Sequence, residues 1–237
     1  MAEESPALKI EIYGVLTQHP WIGQVSIDHD LDEDLFSLAV KRAGAYGWST
    51  TLLGPQNMLE GQRWEHADAG GDWSQDGQER LVAWLAVYPA AGLRGQHLPV
   101  LPMVQTLTDA LHRVGELHFT ELRVHAPVAL ARDAGFDLRA AADWFALASP
   151  DARTDITVTV RADPEANAEQ LSAAVTRTGH GLLRLCPGPL DGPGSTVMEG
   201  SAPEWTPDAA AWIAGTLLEV LRAGGVRAPA RITVRGM

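Results

Sequence analysis

Two hydrophobic periods alternate along the chain. Short runs with an apolar residue at every second position read as strands: Val25 and Ile27; Leu122 and Val124; Ile156, Val158 and Val160; Ile232 and Val234. Between them, apolar residues three and four apart read as helices, as in Val104, Leu107, Leu111 and Val114, or Ile213, Leu217, Val220 and Leu221. Leu35 and Leu38 mark a third helix, and Leu171 and Val175 a fourth. Thr206-Pro207-Asp208 has the order of an N-cap, a first-turn proline and a first-turn acid. Asp30 and Asp163 read as the caps of the third and fourth helices, with Glu33 at capping-box spacing from Asp30. Gly44 and Gly47, and Gly179 and Gly181, end them.

These elements recur. Shifted by 133 positions, residues 10–28 fall on 143–161, Asp30 on Asp163, Leu38 on Leu171, and 49–53 on 182–186. Shifted by 110, residues 111–124 fall on 221–234, so that Gly115 meets Gly225, Leu122 meets Ile232 and Val124 meets Val234. Residue identity is poor in both registers; element order and apolar phase carry the repeat. Each copy reads strand, strand, helix, strand, strand, helix, strand. The leading strands open the blocks 10–28 and 143–161, and the fourth strands are Leu81–Tyr88 and Thr196–Ser201. Without its leading strand each copy has the order βαββαβ and resembles a ferredoxin-like unit. The predicted class is therefore α+β: two tandem ferredoxin-like (β-βαββαβ) repeats, with antiparallel sheets and helices on one face. Residues 1–127 form the first repeat, 128–142 a linker and 143–237 the second. Two such units in one chain resemble proteins that pack two such sheets face to face.

Period 2 also assigns the faces. Val25, Ile27, Leu122 and Val124 point at the helices in the first repeat; Ile156, Val158, Val160, Ile232 and Val234 do so in the second. The other face carries Gln24, Ser26, Asp28, Ser49, Thr51, Glu121, Arg123 and His125, then Thr157, Thr159, Arg161, Arg184, Arg231, Thr233 and Arg235. Arg161, Arg184 and Arg231 come from three strands. They converge if those strands are neighbours, and guanidinium groups bind carboxylate or phosphate bidentately. The plain alternative is a solvated face, or arginines paired with Asp28 and Glu121 between repeats.

The shift falls from 133 to 110, so the first repeat holds 23 extra residues, mostly within 54–80. A connection this long suits a lid or binding loop. It contains Trp64 and Trp73, able to cover a ligand, and His66, able to move protons as His125 is. The alternative is a β-excursion whose tryptophans dock on the body.

Charge narrows the function classes. Asp and Glu outnumber Lys and Arg by 30 to 18, a net −12, so nucleic acid and anionic membranes are not expected partners. Among the basic residues, all but Lys9 and Lys41 are arginine. A single cysteine, Cys186, allows no intrachain disulfide and reads as a buried apolar residue. No run is long enough to span a membrane, and the acidic start lacks a signal pattern, which together predict a soluble cytoplasmic protein.

Familiar motifs fail. The acidic run Asp28–Asp34 has Glu33 and Ala39 where a calcium loop needs glycine and glutamate, so no metal is expected. No nucleophile elbow, Walker A loop or dinucleotide fingerprint is present. Trp144 and Trp212 read as core residues. The expectation is a protein that binds a small anionic organic ligand on or between its open sheet faces, with no cofactor and with acid–base catalysis by His66 or His125 as an option. The alternative is a non-catalytic module whose open faces meet a protein partner or a second copy.

Overall fold

A computed structural model describes residues 7–22, 34–50, 64–89, 98–131, 135–148, 151, 153–163, 167–189 and 194–237. The first half contains β1 (Leu8–Gln18), α1 (Leu35–Tyr46), β2 (Ser49–Thr50), β3 (Trp64–Gly70), β4 (Arg80–Pro89), α2 (Val100–Val114) and β5 (Gly115–Ala126). A 3-10 turn (Val128–Leu130) and α3 (Gly135–Ala148) follow. The second half contains β6 (Thr154–Arg161), α4 (Ala168–Thr178), β7 (Arg184–Pro187), β8 (Thr196–Ala202), α5 (Pro207–Ala223) and β9 (Ala230–Gly236).

The nine strands among the described residues join one sheet in the order β2-β3-β4-β1-β5-β9-β6-β8-β7. Every pairing is antiparallel except that of the two-residue β2, which lies parallel to β3. The two halves have the same internal order, β3-β4-β1-β5 and β7-β8-β6-β9. They meet edge to edge where β5 pairs β9 from Glu121↔Arg235 to Ala126↔Ala230. Two sheets packed face to face, the expected arrangement, are thus replaced by one continuous sheet. Edge pairing satisfies the free N–H and C=O groups of both strands, which a face-to-face pair would leave exposed.

The core lies between this sheet and its helices. Ile10, Ile12, Leu122, Val124, Val158, Val160, Ile232 and Val234 are fully buried on the helix side. Each such side chain contributes about 1.5–3 kcal/mol on leaving water. Helices α1, α2, α5 and α4 pack side by side over it. α5 is buried nearly all round because α3 covers its outer side. There Leu138, Ala142 and Phe145 face Trp212, whose indole N–H donates to the Leu138 carbonyl at 3.0 Å.

Several expectations require correction. Residues 143–148 belong to α3 and form no leading strand. β1 holds in the first half the place β6 holds in the second: Ile10 pairs Val124 as Val158 pairs Val234. The equivalence there is a shift of 148, while Val25 and Ile27 lie outside the described residues. The helix caps are Asp34 and Asn167, each accepting from the backbone N–H three residues on, rather than Asp30 and Asp163. Both caps moved by four residues, so their separation is still 133. Cys186 is exposed, and Trp144 is 67% exposed, on the side of α3 away from α5.

Candidate functional site

The face of the sheet opposite the helices is polar, as strand alternation requires once the other face is apolar. Its middle strands β1, β5, β9 and β6 carry ordered rows of side chains. One row runs Lys9, His125, Arg231, Arg161; the next Glu11, Arg123, Thr233, Thr159; the third Tyr13, Glu121, Arg235, Thr157.

Arg161 and Arg231 are direct cross-strand partners. Residues so placed have Cβ atoms about 5 Å apart. Thr159 and Thr233 face each other two residues away, and Arg123 reaches the same place from β5, where it is the partner of Thr233. These five residues line a cavity of about 260 Å³. Among the described residues Arg231 has no carboxylate partner; its Nε donates to His125 Nδ1 at 3.3 Å. Arg123 is held by three contacts. Its Nε donates to Glu121 at 2.5 Å, its Nη1 donates to the Tyr13 hydroxyl at 2.9 Å, and its guanidinium lies 4.2 Å over the Tyr13 ring.

The acidic residues of these rows, Glu11 and Glu121, sit on β1 and β5 and are neutralised there. Glu11 accepts from Lys9 at 2.7 Å, and His125 Nε2 lies 3.5 Å from its other oxygen. Burial alone would raise the Glu11 carboxyl, but Lys9 and His125 outweigh it and hold it below the ordinary carboxylate value. Glu121 is buried and meets both Arg123 and Arg235. Arg235 also reaches Glu79 at 3.1 Å. Burial, and then the Arg231 charge, lower His125 against the opposing pull of Glu11. Because an arginine Nε–H only donates, Nδ1 of neutral His125 is the acceptor and Nε2 carries the proton that faces Glu11.

A second cavity, of about 450 Å³, opens at the end of the same strands and shares Arg161 and Arg231 with the first. His125 and Asp163 also line it, but most of its wall is alanine and proline, including Ala7, Ala162, Pro127 and Pro229.

The expected site residues divide. Arg161, Arg231 and His125 come together. Arg184 does not: it lies on edge strand β7 opposite Ser201, in the row of Asp155. That row is six residues along β6 from Arg161, roughly 20 Å. Ser49 and His66 sit on the helix side, not the open face. His66 pairs Val87, which is buried, and its Nε2 meets Ser49 Oγ at 2.5 Å. Phe36 and Trp48 pack around the His66 ring. Burial pushes His66 from the ordinary 6.5 to about 4. Trp64 is 3% exposed in the core. Trp73 docks against β4, its indole N–H donating to the Val82 carbonyl at 2.9 Å. β4 is three strands from β9, roughly 14 Å.

Residues 64–80 are therefore sheet and a braced turn, not a lid. Asp72 and Asp76 both bind Arg80, and Gln75 bonds the Leu16 carbonyl and the Gln18 N–H. Residues 54–63, together with Gln24, Ser26, Asp28 and Thr51, lie outside the described residues. Sequence reasoning assigned Arg123 to the open face but not to this cluster; its phase was legible, whereas its neighbour strand depends on the β5–β9 junction.

No family model matches the chain, and no curated protein matches it. Among solved structures it is similar to 3-hydroxy-3-methylglutaryl-coenzyme A reductase of Streptococcus pneumoniae, at 13% identity and a TM-score of 0.27, over 93% of this chain and 70% of that one. A likeness that low carries no argument. No described helix is long and apolar enough to cross a membrane. Among the described residues no cluster of His, Cys, Asp and Glu has the makings of a metal site.

Proposed function

We propose that the chain is a fused pair of ferredoxin-like units that binds a small anion, a carboxylate or phosphate, in the arginine cavity of its open sheet face. The matched strand orders, the 133-residue spacing of the two helix caps and the shift of 110 between β5 and β9 support the duplication. The observation that carries the binding site is the convergence of Arg123, Arg161 and Arg231 around Thr159 and Thr233. Like charges directly opposed across strands are destabilising, and a bound anion offsets that repulsion with charge-assisted hydrogen bonds. In this reading neutral His125 occupies the Arg231 Nε and leaves the two Nη groups to the anion. The lone, exposed Cys186 suits a reducing compartment, so a cytoplasmic location belongs to the same reading.

Calorimetric titration with inorganic phosphate tests the proposal. Arg231→Ala should weaken binding at least tenfold, the loss of one charge-assisted contact of about 1.5–3 kcal/mol. Arg184→Ala should leave binding unchanged. Failure of the unmodified protein to bind, or equal affinity in Arg231→Ala, refutes the site. The competing reading, a second copy on the uncovered face, would appear in the same samples as a concentration-dependent mass.

A further inference from the structure

We infer that the anion bound at the arginine cavity carries an apolar body, and that this body lies in the alanine- and proline-walled cavity at the strand ends; the inference rests on the anion-site reading above. The two cavities share Arg161 and Arg231, so a group held between those guanidiniums stands at the mouth of both. Among the described residues the arginine cavity is lined only by arginine and threonine. It satisfies a charged head but gives an aliphatic group nothing to pack on. The neighbouring cavity has the opposite character. Ala7, Pro127, Ala162 and Pro229 offer methyl and ring carbons without hydrogen-bonding side chains. A ligand spanning both places its charge on arginine and its hydrocarbon on alanine and proline. The class that fits is a monoanion with a short aliphatic body.

Asp163 sets a limit on the far end. It lines the apolar cavity, so a second anionic group on the body would approach a carboxylate. The site therefore selects one charge at one end. A dianion of equal length pays like-charge repulsion there and gains no further arginine.

Calorimetry with a series of straight-chain carboxylates tests this. Acetate, butyrate and hexanoate are compared with inorganic phosphate, and hexanoate with adipate. Affinity should rise two- to fourfold for each added methylene, fourfold being the value for complete burial. Adipate should bind at least fivefold more weakly than hexanoate. Ala162→Leu narrows the apolar cavity and should abolish the dependence on chain length while phosphate binds as before. Ala7→Leu makes the same change from the residue preceding β1 and serves if the first variant does not fold. Equal affinity along the series with phosphate binding intact overturns the apolar body and leaves the anion site standing. Equal affinity for adipate and hexanoate overturns the limit set by Asp163. Absence of binding by every anion overturns the underlying site instead.

Discussion

Arg161 and Arg231 stand directly opposite each other across the β6–β9 pair, two guanidiniums on the open face of a sheet in a chain of net charge −12. Cross-strand neighbours contribute a few tenths to about 1 kcal/mol either way, and like charges fall on the unfavourable side. Like charges converging on a cavity are the observation on which the anion-site proposal rests.

The same relationship predicts a trade between stability and binding. Arg231→Thr removes the repulsion and puts a β-branched residue on a strand. At low salt this variant should unfold at slightly higher urea concentration than the unmodified protein, by a few tenths of a kcal/mol. Added phosphate should stabilise the unmodified protein and not the variant. Urea denaturation at low salt, with and without phosphate, reads both effects; a destabilised Arg231→Thr would show that the pair is structural.

Much of this site is legible in the sequence because strand alternation is a strict rule. Thr159, Arg161, Arg231 and Thr233 share a face with period 2, and the structure keeps them there. The junction is not legible. Pairing of β5 with β9 is decided by how two edges fit, and no local pattern announces it. Arg123 therefore enters the cluster only once the sheet is assembled, and Glu121 meets Arg235 only across that junction. Arg184 shows the complementary failure: phase gives its face but not its level along the sheet. The helix α3 is a third kind. Leu138, Ala142 and Phe145 form a helical stripe at spacings of four and three, and they are buried accordingly. A single shift of 133 applied across 143–148 imposes a strand on that stripe. The local period favours a helix there, and the long-range alignment overrides it.

His66 gives the molecule an acid-sensitive edge. Its ring sits among Phe36 and Trp48 with Nε2 on Ser49, and Nδ1 has no hydrogen-bond partner among the described residues. Burial holds its folded pKa near 4, below the ordinary 6.5. Above pH 7 both folded and unfolded chains carry it neutral and it contributes nothing to the slope. As pH falls through 6.5 the unfolded chain takes up the proton first, so stability declines until about pH 4 and then levels. The shift corresponds to roughly 3 kcal/mol. His66→Phe should remove this part of the decline. Urea midpoints between pH 7 and 4 check it by the difference in slope between the two proteins; identical slopes would mean that His66 does not titrate in this range.

His125 should make anion binding depend on pH in the opposite sense to stability. At neutral pH its Nδ1 holds Arg231, and Glu11, Lys9 and Arg231 are the charged groups around it. Protonation removes the lone pair on Nδ1, releases the Arg231 Nε and adds a positive charge beside the cavity. All three changes favour a bound anion, so by linkage a bound anion favours the protonated imidazole. The folded value lies below the ordinary histidine value, so the gain should develop below pH 6.5. Sulfate is the right probe because it does not itself titrate there. Its affinity should rise several-fold between pH 7 and 5 in the unmodified protein. In His125→Gln it should stay nearly flat, since the glutamine amide oxygen can still accept from Arg231 but gains no charge. A rise of the same size in the variant would place the titrating group elsewhere and leave His125 with a purely structural hold on Arg231.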